Sequence, residues 1–130
     1  MKSQVIPLSQ WRQYLDSFSR QYDGWLVSME VDSPEIGAQP EIDNLPLEGI
    51  SADTVSTRDA TIGIVAGRVT DGRLTHTIVH ATGLAVEETE SGVKVALQVT
   101  AADGTTTILR FRSPSRPETV DGVVRAGSRE

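Results

Sequence analysis

Residues 93–112 read VKVALQVTAADGTTTILRFR, and the way this stretch pairs with itself decides the fold. Val93, Val95, Leu97, Val99 and Ala101 recur at every second position, with Lys94, Ala96, Gln98 and Thr100 between them. Side chains alternate between the two faces of a strand, so this is the period of a half-buried β-strand. Asp103-Gly104 turns the chain, and Thr105, Thr107, Leu109 and Phe111 carry the alternation back. A two-residue Asp-Gly turn would set Leu97 opposite Arg110 and Val95 opposite Arg112. A three-residue loop, Ala102-Asp103-Gly104 with a left-handed glycine, sets Leu97 opposite Leu109 and Val95 opposite Phe111. A slip of one residue would move a strand's whole apolar set to the wrong face. The pattern therefore selects the bulged loop.

Working upstream, residues 84–88 form the neighbouring strand, joined through Thr89-Glu90-Ser91-Gly92. A loop of that length places Val86 opposite Val95 and Leu84 opposite Leu97. Residues 74–81 make a further strand, bearing His76 and His80 beside Leu74 and Ile78. Residues 61–66 place Ile62, Ile64 and Ala66 on one face with Val65 opposite, and 68–73 turn between these two strands. Residues 25–31 alternate as another strand, and 32–37 are rich in turn formers. Residues 38–44 contain Pro40 and suit an edge strand or an irregular segment. Residues 46–51 read as a short strand or bend, and 52–59 as a loop.

The period changes between Pro7 and Tyr22. Leu8, Trp11, Leu15, Phe18 and Tyr22 recur at three- and four-residue steps, which aligns them along one helical stripe. Ser9 is placed to cap the N-terminus and Gly24 to stop the helix. Such a helix is marginal alone, so it is expected to bury its aromatic stripe against the sheet. The fold class is mainly β (α+β): a strongly bent antiparallel sheet or small β-barrel with one N-terminal amphipathic helix, about residues 8–22. A doubly wound parallel fold is disfavoured, because no crossover helix separates the strands.

At 130 residues the chain is expected to form one domain over 1–124. Residues 113–117 break the last strand, Val120, Val123 and Val124 are expected to dock, and 125–130 to fray. No signal peptide or spanning segment is expected, and the expected location is cytoplasmic. Without cysteine there are no disulfides, thiolate metal sites or cysteine nucleophiles. Asp and Glu number 18 against 12 Lys and Arg, a net charge of −6. No nucleic-acid or membrane partner is expected, since binding to either rests on clustered positive charge.

Several runs together resemble a family of small bacterial proteins defined only as a domain of unknown function. They are Trp11…Phe18-Ser19-Arg20, Gly24-Trp25-Leu26-Val27, Pro46-Leu47-Glu48-Gly49-Ile50 and His76-Thr77-Ile78. Asp103-Gly104-Thr105…Leu109-Arg110-Phe111-Arg112-Ser113-Pro114 is the most distinctive. The resemblance covers about residues 11–122 and implies a single domain. It carries no activity, ligand or catalytic residue with it.

Candidate sites are few. Four residues along a strand separate His76 and His80 by about 13 Å. Two ligands of one zinc each lie about 2 Å from it. The two histidines therefore cannot share a metal while the segment is extended. His76, mid-strand, is the pocket candidate, as a base or ligand working with a carboxylate. No nucleophile elbow, phosphate loop or calcium loop is present, so no catalytic, cofactor-binding or metal residues are assigned. With Leu97 opposite Leu109, Lys94 faces Arg112 and Ala96 faces Arg110. Lys94, Arg110 and Arg112 then form a candidate anion- or partner-binding face, with Glu87 on the adjoining strand. A solvated charge ladder is the plainer account of the same residues. The expectation is a non-enzymatic interaction or accessory module that binds a protein partner or itself. The alternative is a small-molecule-binding β-barrel, with hydrolase- or isomerase-type chemistry near His76.

Overall fold

A computed structural model of the chain describes residues 2–54, 60–68 and 72–113. The described residues form seven strands and one α-helix: β1 (Lys2–Val5), α1 (Trp11–Gln21), β2 (Leu26–Ser33), β3 (Gly37–Thr54), β4 (Ala60–Arg68), β5 (Gly72–Glu88), β6 (Lys94–Ala101) and β7 (Thr106–Arg112). All pairings are antiparallel. Strand order β5-β4-β3-β2-β7-β6, with β6 returning to β5, closes a six-stranded barrel to which β1 adds.

Two long strands turn the corners. The first part of β3 pairs with β2 as far as Pro46, and the rest pairs with β4 from Leu47. Asn44 at the bend is left-handed, with φ 53°, and its N–H donates to Ser28 Oγ at 3.2 Å. β5 pairs with β4 up to Ala81, and its remainder lies between β1 and β6. A bulge between Ala81 and Gly83, beside left-handed His80, marks that corner. Bulges bend a strand and strengthen its twist, which a small barrel requires.

The β6–β7 hairpin adopts the expected register, with Leu97 opposite Leu109 and Ala96 opposite Arg110. The Ala101 N–H donates to Thr105 O across the three-residue loop, and Gly104 takes φ 90°. The β5–β6 register is a correction. Val86 faces Leu97 and Leu84 faces Val99, two residues from expectation, because the loop runs on through Val93 and a bulge follows between Glu87 and Glu88. Thr89 N–H donates to Val93 O, which leaves Val93 exposed outside the strand. Residues 74–81 and 84–88 prove to be one strand, as do 38–44 and 46–51, and β1 was not anticipated. The expected turn at 69–71 and the docking of Val120, Val123 and Val124 lie outside the described residues.

α1 plugs one end of the barrel. Trp11, Leu15 and Phe18 are buried on its inner face, and Tyr22 follows at its C-cap. Gln10, not Ser9, occupies the N-cap, because a 3-10 turn over Leu8–Gln10 precedes the helix. Tyr22 stacks on Phe18 at 4.6 Å and meets Trp25 edge-on at 4.7 Å, while Phe18 reaches Phe111 at 5.1 Å. This aromatic group fastens the helix to β2 and β7. On the other side, Ser19 Oγ donates to Ile50 O at 2.7 Å and accepts from Ile50 N–H at 2.8 Å. One hydroxyl thus satisfies both backbone groups on the β3 edge, as a neighbouring strand would. Ser19→Ala is expected to lower stability by about 1–3 kcal/mol, read from urea unfolding, because it orphans two partly buried groups. A loss indistinguishable from zero would mean that water replaces the hydroxyl. No helix of the described residues is long and apolar enough to cross a membrane.

Candidate functional site

The structure separates the three cations expected to share a face. A bulge between Glu87 and Glu88 sets Glu87 opposite Ala96 but Glu88 opposite Lys94. That extra residue takes Lys94 out of the outward series of Ala96 and Gln98. Its ammonium reaches the Glu88 carboxylate at 2.9 Å, with both side chains largely covered, and its N–H donates to Tyr22 Oη at 2.9 Å. Lys94 is therefore a structural partner at the helix-capped end, not part of an outward cationic face. Arg112 remains outside and donates to Asn44 Oδ1 at 2.9 Å, tying β7 to the β3 bend. Arg110 alone keeps its expected setting, exposed and across Ala96 from Glu87.

Arg110 and Glu87 flank a depression of about 120 Å³ floored by Ala85 and Ala96 and edged by Gln98 and Ile108. Neither charge makes an ion pair among the described residues. The depression is small and open, and can seat a backbone amide or a single polar side chain.

Around Lys94 the electrostatics are local. The hydrogen bond from Lys94 holds the Glu88 carboxyl below its ordinary 4.5, and the same bond raises the Lys94 ammonium. Tyr14 lies beside the pair. Burial raises its phenol, and its Oη is enclosed without a hydrogen-bond partner among the described residues. A carboxyl with a lowered folded pKa binds fewer protons when folded than when unfolded. Its stabilising contribution is therefore complete above about pH 4.5 and disappears as pH falls through the lowered value. Glu88→Gln is expected to flatten this acid limb. The urea midpoint of the wild type should drop more between neutral pH and roughly pH 3 than that of the variant. Equal drops would deny the pair any acid-side role.

His76 sits mid-strand on β5, half-buried, opposite Ile64 of β4. Among the described residues the barrel interior offers it no pocket. The void between Leu15, Ile50, Leu97 and Leu109 measures about 10 Å³. A single water needs at least about that much space, so no small molecule fits. Ile62, Ile64, Ala66, Leu84, Val86 and Leu97 fill the centre, each 2% exposed or less. Among the described residues no three His, Asp or Glu side chains converge as metal ligands.

Two surfaces were missed from sequence. One is a groove of about 570 Å³ between α1 and β3, lined by Ser9, Arg12, Gln13, Asp16, Ile50 and Ala52. Its polar rim reads in sequence as the solvent face of the helix. Arg12 and Asp53 pair across it at 3.5 Å, both highly exposed, an interaction worth little. The other is the outer edge of β5. Residues 72–78 follow β4 without a break in register, from Arg68 opposite Gly72 to Ile62 opposite Ile78. Among the described residues no strand pairs with the other edge before Ala81. Leu74 is 47% exposed there and Val79 58%. β-branched Thr75, Thr77, Ile78 and Val79 were a legible sign of a strand, but only the topology shows an edge.

Residues 2–120 match the model of a family described as a family of unknown function, DUF5335. The chain belongs to the DUF5335 family. An uncharacterised protein of Aquifex aeolicus (strain VF5) is 34% identical over 112 residues, which cover 86% of this chain and 94% of that protein. The bacterial resemblance expected from the motifs is thereby shown. No solved structure matches the chain.

Proposed function

We propose that this DUF5335 chain is an interaction module that docks an extended segment of another polypeptide on the outer edge of β5, residues 72–79. The contrast between the free edges carries this reading. Among the described residues, 37–45 of β3 also pair on one side only, but Pro40, Glu41 and Asp43 and two breaks in register interrupt them. β1 has four residues. Proline, charge, bulges and shortness are the usual protections of an exposed strand edge against pairing. Between Leu74 and Ile78 the β5 edge has none of these and is regular and rich in β-branched residues, a bulge following only at residues 79–80. An added strand gains main-chain hydrogen bonds from such an edge and side-chain selectivity from its alternate residues.

The test compares two variants as bait for binding partners. A Thr75→Lys/Thr77→Lys variant charges the edge, and Arg110→Glu reverses the outward face. The reading expects a partner held by wild type and by Arg110→Glu but lost from the double lysine variant. Loss from Arg110→Glu alone would move function to the depression beside Glu87. Retention by both variants would overturn the edge.

A further inference from the structure

Resting on the edge reading, we infer that the strand docking on β5 is the β5 strand of a second copy of this chain, paired antiparallel about a two-fold axis through His76. A two-fold axis normal to the sheet keeps each residue on its own face, so the pairing must centre on one residue opposite its own copy. Centring on Thr75 or on His76 overlaps equal lengths of residues 72–79, so the side-chain pairs choose, and they favour the His76 register. It sets Leu74 opposite the partner's Ile78, Thr75 opposite the partner's Thr77, and Arg73 opposite the partner's Val79. Apolar side chains then meet on the core-facing side and threonines on the outer side, pairs that stabilise antiparallel sheets. Centring on Thr75 sets Leu74 against an imidazole, and centring on Thr77 sets Ile78 against one and also shortens the ladder.

Charge favours the same surface. The chain carries −6 overall, yet neither β4 (Ala60–Arg68) nor β5 from Gly72 to Ala81 contains an Asp or Glu. Arg73, the one formal cation between residues 72 and 79, is already held by Glu48 at 2.7 Å. Two copies therefore approach across an acid-free stretch of each molecule, without like charges opposed in the ladder.

The chain lacks cysteine, so single thiols report the register directly. Residues directly opposite in an antiparallel ladder have Cα atoms about 4.5–5.5 Å apart, inside the range a disulfide spans. The 76–76 pair and the 75–77 pair alternate between hydrogen-bonded and non-hydrogen-bonded types, so one of them is the closer type whichever way the ladder falls. Under mild oxidation, His76→Cys is expected to convert from a 14.0 kDa chain to a disulfide-linked species of twice that mass. Thr75→Cys alone should remain mostly uncrosslinked, while an equimolar mixture of Thr75→Cys and Thr77→Cys should crosslink. The mixture also tests the register without touching His76, should His76→Cys fold poorly. Crosslinking of Thr75→Cys alone as complete as that of the mixture would overturn the register. The absence of disulfide from both His76→Cys and the mixture would overturn self-pairing. If the double lysine variant still lost its partner in that case, the edge would stand as a site for a different polypeptide.

Discussion

Trp11→Ala is expected to cost about 3–5 kcal/mol, measured by urea unfolding against wild type. Trp11 is 1% exposed, and its indole N–H donates to Ile6 O at 2.8 Å. Truncation removes the largest buried side chain of the helical plug and also leaves the Ile6 carbonyl without its donor. Ile6 itself is buried, and its N–H donates to Leu84 O at 2.9 Å, so the loss extends from α1 through the end of β1 into β5. Domains of this size are commonly stable by about 5–15 kcal/mol, so the variant should be partly unfolded or close to it at ordinary temperature. Trp11→Phe, which keeps most of the volume but loses the hydrogen bond and leaves a smaller void, should cost less than alanine. If alanine cost under about 1 kcal/mol, the plug would not be an integral part of the barrel.

Leu97→Ala is expected to cost about 2–5 kcal/mol and to open a real cavity where the wild type has almost none. Leu97 faces Val86 on one side and Leu109 on the other, and borders the 10 Å³ interior void. Apart from Thr107 the walls around it are Ile, Leu and Val, so the enlarged space should stay free of water and take up xenon or a small hydrocarbon. Xenon-dependent shifts in the methyl NMR spectrum of the variant, absent from wild type, would read this out. A ligand-binding barrel would already respond in its unaltered form. A wild type that bound xenon as strongly as the variant would contradict the filled interior.

What could be read beforehand divides along physical lines. The 93–112 hairpin was legible because two periods and a turn agree: alternation fixes the faces, and only the left-handed Gly104 loop keeps Leu97 against Leu109. The helix was legible from its aromatic stripe, of which Trp11, Leu15, Phe18 and Tyr22 are buried and Leu8 partly so. The corners were not. Residue 45 and residues 82–83 separate the strands expected from sequence, yet at both places the chain stays extended and changes partner, since a barrel bends the strand that a flat sheet would end. β1 was hidden because its exposed Lys2-Ser3-Gln4-Val5 has no apolar alternation and is held through backbone pairing to β5. At the candidate site the same limit applies: the one-residue bulge at Glu87–Glu88 leaves no mark in composition, but it alone separates Lys94 from Arg110. An unpaired edge is a property of what lies beside a strand, and residues 74–81 carry no information about that.

The closure of the barrel has a consequence for the order of assembly. β2 lies between β3, its neighbour in sequence, and β7, which pairs Leu26 with Arg112 and Asp32 with Thr106. The first of these seams is a local hairpin, whereas the second joins opposite ends of the described chain. During synthesis the strands up to β5 can pair as an open sheet, but β2 keeps an exposed edge until the last hairpin has left the ribosome. Long-range seams of this kind slow folding, because chain entropy is lost before their contacts form. The nascent chain thus spends most of its synthesis with a second vacant edge that the finished barrel no longer has.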